Sequence, residues 1–177
     1  MKIYKTQIKG LLVIKQKNNI DNRGSLRETY NKKLLNKKFV FEYCTTSKKN
    51  ILRGFHFQTK FQQSKFVNVL KGKILDVVID LRKNSNTFGK SFKIILSQKN
   101  ATSLYIPRGF AHAYLSYDVE NIIYYKLDNF YKPKFEDGII FDDRQLKIKW
   151  PKLKIVISKK DKKLRTLKDF INTYAGL

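Results

Sequence analysis

The clearest alternation of apolar and polar positions lies at residues 51–58, which read Ile-Leu-Arg-Gly-Phe-His-Phe-Gln. A β-strand places successive side chains on opposite faces, so this stretch predicts a strand. Strict alternation puts Leu52, His56 and Gln58 on one face and Arg53 on the other. A face with an imidazole and an amide is typical of a polar pocket, although a lone strand histidine is more often structural.

Short strands are predicted through most of the remaining chain. Their ranges are 39–45, 51–58, 65–70, 73–81, 91–96, 103–106, 112–117 and 122–127. Turn residues separate them, and Lys71-Gly72 predicts a hairpin between two of them. Asp21 to Gly24 is a turn by composition, and a short helix is plausible between Arg27 and Lys37.

The end of the chain has helical periodicity. Apolar residues recur at spacings of three and four, which places them on one helix face; they are Leu164, Leu167, Phe170, Ile171 and Tyr174. No change of composition divides the chain, so residues 1–177 are expected to form a single domain. The pattern predicts an all-β fold, a β-sandwich or jelly roll with a short C-terminal helix.

The net charge of +24 suggests an anionic partner. However, only seven of the 38 basic residues are Arg, the side chain that most nucleic-acid readers use for bidentate contacts. The Lys residues are spread along the chain, largely in pairs. A solvated basic surface is therefore favoured over a dedicated nucleic-acid face, and either would attract small anions.

Cysteine and histidine are too scarce for several kinds of site. Cys44 is the only cysteine, so no disulfide can form within the chain. With two histidines, a structural zinc site of four nitrogen or sulfur ligands is nearly excluded, and no metal site is predicted. The apolar run at residues 11–14 is too short for a signal peptide or a membrane span, so a cytoplasmic protein is expected.

General acid and base candidates remain: His56, His112, Tyr125 and a few of the fourteen carboxylates. Asp76 and Asp80 lie in an apolar strand, where a carboxylate needs a partner or water.

Asp80 is expected to pair with Arg82, whereas Asp76 has either an ion pair or a place in the pocket beside His56. Ser158 and Asp161 form a Ser-x-x-Asp pattern that predicts a helix start.

A series of motifs, in order and at matching spacing from about residue 10 to 165, resembles the dTDP-4-dehydrorhamnose 3,5-epimerase family. The motifs are Asp21-Asn22-Arg23-Gly24 with Glu28, Leu52 to Gln58, Lys65, Gly72 to Arg82, Ser85 to Lys90, Leu104 to His112, Tyr125-Lys126, Tyr131-Lys132-Pro133, Glu136 to Ile139, Trp150-Pro151 and Ser158 to Asp161.

The resemblance implies a metal-independent, cofactor-free cupin-type jelly roll that works as a homodimer. It implies a nucleoside-diphosphate 4-keto-6-deoxy sugar as substrate, inverted at C3 and C5 for cell-surface polysaccharide synthesis.

It also implies roles for individual residues. His56 matches the general base, and Asp161 the carboxylate that orients it. Tyr125 matches the acid on the opposite face of the sugar, and Lys65 the cation near the keto oxygen.

Further matches imply contacts with the substrate. Arg53, and Arg23 from the partner subunit, match residues that hold the diphosphate. Phe130 occupies a position where a ring can stack on the nucleobase. Glu28, Gln58 and His112 complete the expected substrate-binding set.

The stretch before the strand at residues 51–58 departs from the family pattern. Where the family has a Gln and an Asn at the substrate site, this chain has Phe41 and Tyr43. The nucleotide and the sugar are therefore open. A mono-epimerase or ketoisomerase on the same scaffold is one alternative, and a non-catalytic binder of nucleic acid or of a sugar nucleotide is another.

Overall fold

The computed structural model describes residues 1–177, and all but two of the strands lie in two β-sheets. The first sheet has the strand order β1 (Lys2–Lys5), β2 (Leu12–Lys15), β10 (Thr102–Ile106), β7 (Lys65–Lys71), β12 (Asn121–Leu127) and β5 (Phe41–Ser47). The second has the order β13 (Glu136–Gly138), β6 (Ile51–Gln58), β11 (Phe110–Ser116), β8 (Lys73–Asp80) and β9 (Ser91–Ser97), with β14 (Val156–Ile157) parallel to β6.

The main apolar core lies between the two sheets. It combines residues from β7, β10 and β12 of the first sheet with residues from β8, β9 and β11 of the second. From β5 to β13 the chain crosses between the sheets at almost every connection, which is the pattern of a jelly roll. The predicted all-β sandwich is therefore confirmed.

The predicted hairpin at Lys71-Gly72 is wrong. The strands before and after this turn, β7 and β8, belong to different sheets, so the turn carries the chain from one layer to the other. Gly72 has φ +82°, and a Cβ on it would lie 2.5 Å from the side-chain oxygen of Asn121. A glycine is thus required at this turn, as its composition indicated. The turn connects two sheets, however, and not two strands of one hairpin.

The C-terminal helix α2 (Leu167–Tyr174) covers the outer face of the second sheet. It begins at a capping box between Thr166 and Asp169. Phe170 is fully buried on the sheet, as predicted, whereas Ile171 is 40% exposed. The helix is shorter than its apolar pattern because the capping box starts it after Leu164.

A small hairpin, β3 (Asn18–Asp21) and β4 (Gly24–Arg27), pairs with neither sheet. It exposes two apolar side chains, Ile20 at 77% and Leu26 at 69%. The predicted Asp21–Gly24 turn connects its strands, and the short helix α1 (Lys32–Leu35) follows. Neither α-helix has the length and apolar character needed to cross a membrane.

Candidate active site

A β-bulge in β6 decides which of its side chains face the space between the two sheets, called here the cavity. Opposite β11, His56 pairs with His112 and Arg53 with Tyr114, so three steps on β6 match two on β11. Gly54 occupies the bulge with φ +116°, and a Cβ there would lie 2.5 Å from the backbone oxygen of His112.

Because of the bulge, the predicted faces of this strand are wrong for Leu52 and Arg53, the residues before Gly54. Arg53 and His56 lie opposite Tyr114 and His112, which share one face of β11, so the two side chains are on the same side of β6. Both border a groove of about 420 Å³. Leu52 is instead buried with Phe55 and Phe57 on the side covered by α2. Alternation holds after Gly54 but shifts by one position across it.

His56 is hydrogen-bonded to a buried carboxylate. Its Nε2 lies 2.9 Å from Oδ1 of Asp161, whose Oδ2 accepts the backbone N–H of Gly54 at 3.2 Å. Burial raises the pKa of Asp161, but the His56 ring and these hydrogen bonds outweigh it, so the pKa lies below its ordinary value. An ionised Asp161 accepts from Nε2–H and leaves Nδ1 of His56 free to take a proton.

Asp161 also begins a short 3₁₀ helix, Asp161–Lys163. The Ser-x-x-Asp pattern predicted the start of the C-terminal helix, which instead begins at Leu167. The hydroxyl oxygen of Ser158 accepts the Asp161 backbone N–H at 3.0 Å. The turn therefore places the carboxylate against the imidazole.

A second carboxylate–imidazole pair lies beside the first. Nε2 of His112 is 2.8 Å from Oδ2 of Asp76, and both side chains are buried. Oδ1 of Asp76 has no hydrogen-bond partner. Because His112 is directly opposite His56, Asp76 reaches the site through His112. The other carboxylate of this strand, Asp80, pairs with Arg82 as predicted.

Lys65, at the start of β7, is an amine without a hydrogen bond or an ion pair. Burial lowers its pKa from 10.5 to about 8, although the charges of Glu136 and Asp76 partly oppose this. The side chain is therefore a cation at neutral pH that is not neutralised by direct contact. Such a group favours negative charge that develops nearby.

Tyr125, on β12, is a buried phenol of the first sheet. Burial raises its pKa well above the ordinary value, and the nearby Tyr114 and Tyr43 add to this, so the hydroxyl keeps its proton. Its ring stacks on that of Tyr43 with centroids 4.8 Å apart. The His112 ring meets it edge-on at 6.0 Å. Tyr125 and His56 thus reach the cavity from different sheets.

One face of β5 lines the same cavity with aromatic and hydroxyl groups. The Phe41 ring lies 5.8 Å from that of Tyr43 and 6.2 Å from the exposed ring of Phe130. Further along, Thr45 and Ser47 both hydrogen-bond to the hydroxyl of Tyr114. Ser47 also accepts from Nε of Arg53 at 3.1 Å.

Three predicted binding residues have other contacts. Arg23 lies at the tip of the β3–β4 hairpin and pairs with Asp21, while Glu28 accepts from the side chain of Asn31. Neither contacts the His56 group within one chain. The side-chain amide of Gln58 donates to the backbone oxygens of Phe61 and Phe130 and accepts from the backbone N–H of Lys132.

Sequence reasoning gave no role to Glu136, which borders the cavity. Burial raises the pKa of Glu136, but Lys160, Tyr131 and the nearby His56 together outweigh burial. The pKa therefore lies below its ordinary value, and Glu136 is ionised. It accepts from the Tyr131 hydroxyl at 3.0 Å and pairs with Lys160. The only sequence signal was its place in a matched motif.

Comparisons with known proteins agree on one family. A family model described as dTDP-4-dehydrorhamnose 3,5-epimerase matches residues 5–169. The enzyme of that name from Methanothermobacter thermautotrophicus is 36% identical over 95% of each chain, and that from Escherichia coli is 35% identical over 97% of each.

A solved structure is also closely similar. The dTDP-6-deoxy-D-glucose-3,5-epimerase of Legionella pneumophila, in complex with dTDP-4-keto-L-rhamnose, superposes with a TM-score of 0.90. It is 36% identical and the match covers 94% of this chain and 93% of that one.

Proposed function

The chain belongs to the dTDP-4-dehydrorhamnose 3,5-epimerase family, and we propose that it inverts C3 and C5 of a nucleoside-diphosphate 4-keto-6-deoxy sugar. The observation that carries the proposal is the position of the acid–base groups. His56, bonded to an ionised Asp161, belongs to the second sheet, and the protonated phenol Tyr125 belongs to the first. His112, which lies directly opposite His56, has its ring 6.0 Å from that of Tyr125. Inversion at carbon needs a base on one face and an acid on the other.

His56 is the base. A hydrogen next to the 4-keto group is acidic because its removal gives an enolate. Nδ1 takes this proton, and the ring becomes an imidazolium that the Asp161 carboxylate stabilises. The charge that develops on the keto oxygen is stabilised by the Lys65 ammonium, which no protein carboxylate contacts directly.

Tyr125 returns a proton to the opposite face of the enolate carbon, which completes the inversion. Its raised pKa suits this task, since the phenol stays protonated until a strongly basic carbanion is next to it. The imidazolium then releases its proton to solvent and the phenolate takes a proton from solvent, after which the same pair acts on the second carbon beside the ketone. No step needs a cofactor.

The remaining predicted residues hold the substrate. Arg53, fixed through Ser47, binds the diphosphate beside the base. Phe130 offers an exposed ring for the nucleobase, and His112 contacts the sugar beside Lys65. Arg23 and Glu28 act from a second copy, and Gln58 supports the loop that carries Phe130.

A homodimer is the working unit. The β3–β4 hairpin leaves Ile20 and Leu26 largely exposed, and apolar side chains of this size favour burial against another surface. A second copy that covers the hairpin would bring Arg23 to a neighbouring cavity. Sedimentation at several salt concentrations tests this, and a monomer at micromolar concentration would contradict it.

Solvent exchange tests the reaction. The wild-type protein, incubated in D₂O with dTDP-4-dehydro-6-deoxyglucose, is expected to place deuterium at C3 and C5. His56→Ala should abolish exchange and still bind dTDP. Absence of exchange with any 4-keto-6-deoxy sugar nucleotide would overturn the proposal.

The same spectra test the second candidate, a mono-epimerase. The observation in its favour is Tyr43, which takes the place of a family amide and stacks on Tyr125. Deuterium and inversion at one carbon alone would establish it, whereas inversion at both carbons would exclude it.

A further inference from the structure

The nucleobase end of the cavity is built from aromatic rings. We propose that it binds the flat face of the base without reading its edge, so that the protein accepts nucleoside diphosphates of several bases. This inference rests on the proposed function for the sugar chemistry, and it identifies the class of nucleotide that the site takes.

Four aromatic side chains form a continuous row from the cavity to solvent, called here the aromatic row: Tyr125, Tyr43, Phe41 and Phe130. Successive ring centroids are 4.8, 5.8 and 6.2 Å apart. The inner end of the row is buried, with Tyr125 3% exposed, and the outer end is open, with Phe130 56% exposed. A ligand whose sugar reaches Tyr125 therefore meets an open aromatic surface further out.

Side-chain amides near the outer end of this row are already hydrogen-bonded within the protein. Gln58 accepts from the backbone N–H of Lys132 and donates to the backbone oxygens of Phe61 and Phe130. Asn129 donates to Phe61 and accepts from the backbone N–H of Phe130. These amides hold the loop, so reading a base edge would require breaking bonds that position the ring.

On the strand beneath the row, the hydroxyl of Tyr43 is unpaired within the chain, but its ring stacks on Tyr125 at the sugar end of the row and not at the outer end. Thr45 and Ser47 share the hydroxyl of Tyr114, and Ser47 also accepts from Arg53. Phe41 occupies a position where an amide would have been able to pair with a base. The recognition that remains is stacking, to which every base contributes because every base has a π-face.

Stacking on one ring typically changes affinity by roughly five- to a hundredfold and depends weakly on the base. A site of this kind binds tightly enough to hold a nucleotide and yet discriminates little. Specificity would then lie at the sugar, where His56, Lys65 and Tyr125 require a ketone with an acidic neighbouring hydrogen.

Calorimetric titration with dTDP, dUDP, dCDP and dGDP tests the inference, because these ligands share the deoxyribose and the diphosphate. The four Kd values are expected to agree within about tenfold. Phe130→Ala should weaken all four by a similar factor of at least about five.

Phe61→Ala is the matched control. Phe61 is 54% exposed on a neighbouring loop, but its ring packs on Phe135 outside the row. It should change each Kd by less than about twofold.

Two results would overturn the inference: a preference for dTDP above about thirtyfold, or unchanged Kd values in Phe130→Ala. The first would mean that a polar group reads the base, such as the carboxylate of Glu28 from a second copy. Deuterium exchange on the same preparation separates the two claims. Exchange with strong base preference defeats only this inference, whereas uniform binding without exchange defeats only the proposed reaction.

Discussion

Lys65 is predicted to lower the stability of the protein that uses it. Its amine makes no hydrogen bond or ion pair, and burial lowers its pKa from 10.5 to about 8. At about 1.4 kcal/mol per pKa unit, this difference corresponds to at most about 3.5 kcal/mol of cost to the folded state. Lys65→Met keeps most of the aliphatic stem and removes the charge, so we expect its free energy of unfolding at pH 7 to rise by up to that amount.

The pH dependence of this rise in the free energy of unfolding distinguishes the effect of removing the charge from the effect of changed packing. Below pH about 8 the amine is protonated in both the folded and the unfolded protein, so the whole cost is present. Between about 8 and 10.5 the folded protein loses the proton first, and the cost diminishes. The advantage of Lys65→Met should therefore be constant up to about pH 8 and vanish near 10.5.

Urea unfolding at pH 7, 8, 9 and 10, at one protomer concentration, measures this gain. Lys71→Met is the matched control, because Lys71 lies at the exposed end of the same strand and pairs with Glu120. It should change the free energy of unfolding by less than about 1 kcal/mol. The reasoning would be refuted if Lys65→Met were less stable than wild type. It would also be refuted if the difference in free energy of unfolding between the two proteins were the same at pH 7 and pH 10.

Three further substitutions test the site. Asp161→Asn removes the charge and leaves one acceptor oxygen in place of two, so NMR of product formation should show inversion slowed by roughly 10²- to 10⁴-fold. Its Tm should fall, because either the Gly54 N–H or the His56 ring loses its acceptor. Tyr125→Phe should let deuterium enter while inversion falls by more than about tenfold, and equal losses of both would show that Tyr125 is not the opposite-face acid. Gly54→Ala places a Cβ 2.5 Å from a backbone oxygen at φ +116°. Denaturant titration should show a loss of about 2 kcal/mol or more, while Gly89→Ala, whose nearest atom is 3.9 Å away, should lose less.

The strands were predictable because their periodicity is local, and the sheet to which each belongs was not. The turn at Gly72 illustrates the limit. Its composition indicates that the chain changes direction, and a return within one sheet is the simplest interpretation. The actual crossing depends on burial of both β7 and β8 against the shared core, which involves strands far along the chain. Local patterns do not contain this information.

The site was predictable to the extent that it rests on matched motifs. His56 and Asp161 are 105 residues apart, and no periodicity connects them. Their pairing followed from the resemblance, and the 2.9 Å contact is consistent with it. The contacts of Gln58 could not be anticipated, because they depend on where the loop of Phe130 passes. For Arg23 and Glu28, the expected positions involve a second copy.

The bulge at Gly54 shows why one displaced residue matters for this chemistry. Strict alternation would separate Arg53 from His56, since an odd spacing of three puts side chains on opposite faces. One extra residue restores them to the same side, and the guanidinium and the imidazole then border one groove. A single strand can thus supply both the proposed diphosphate ligand and the proposed base. It does so only while position 54 has no Cβ, so the glycine is as necessary to the site as the two side chains on either side of it.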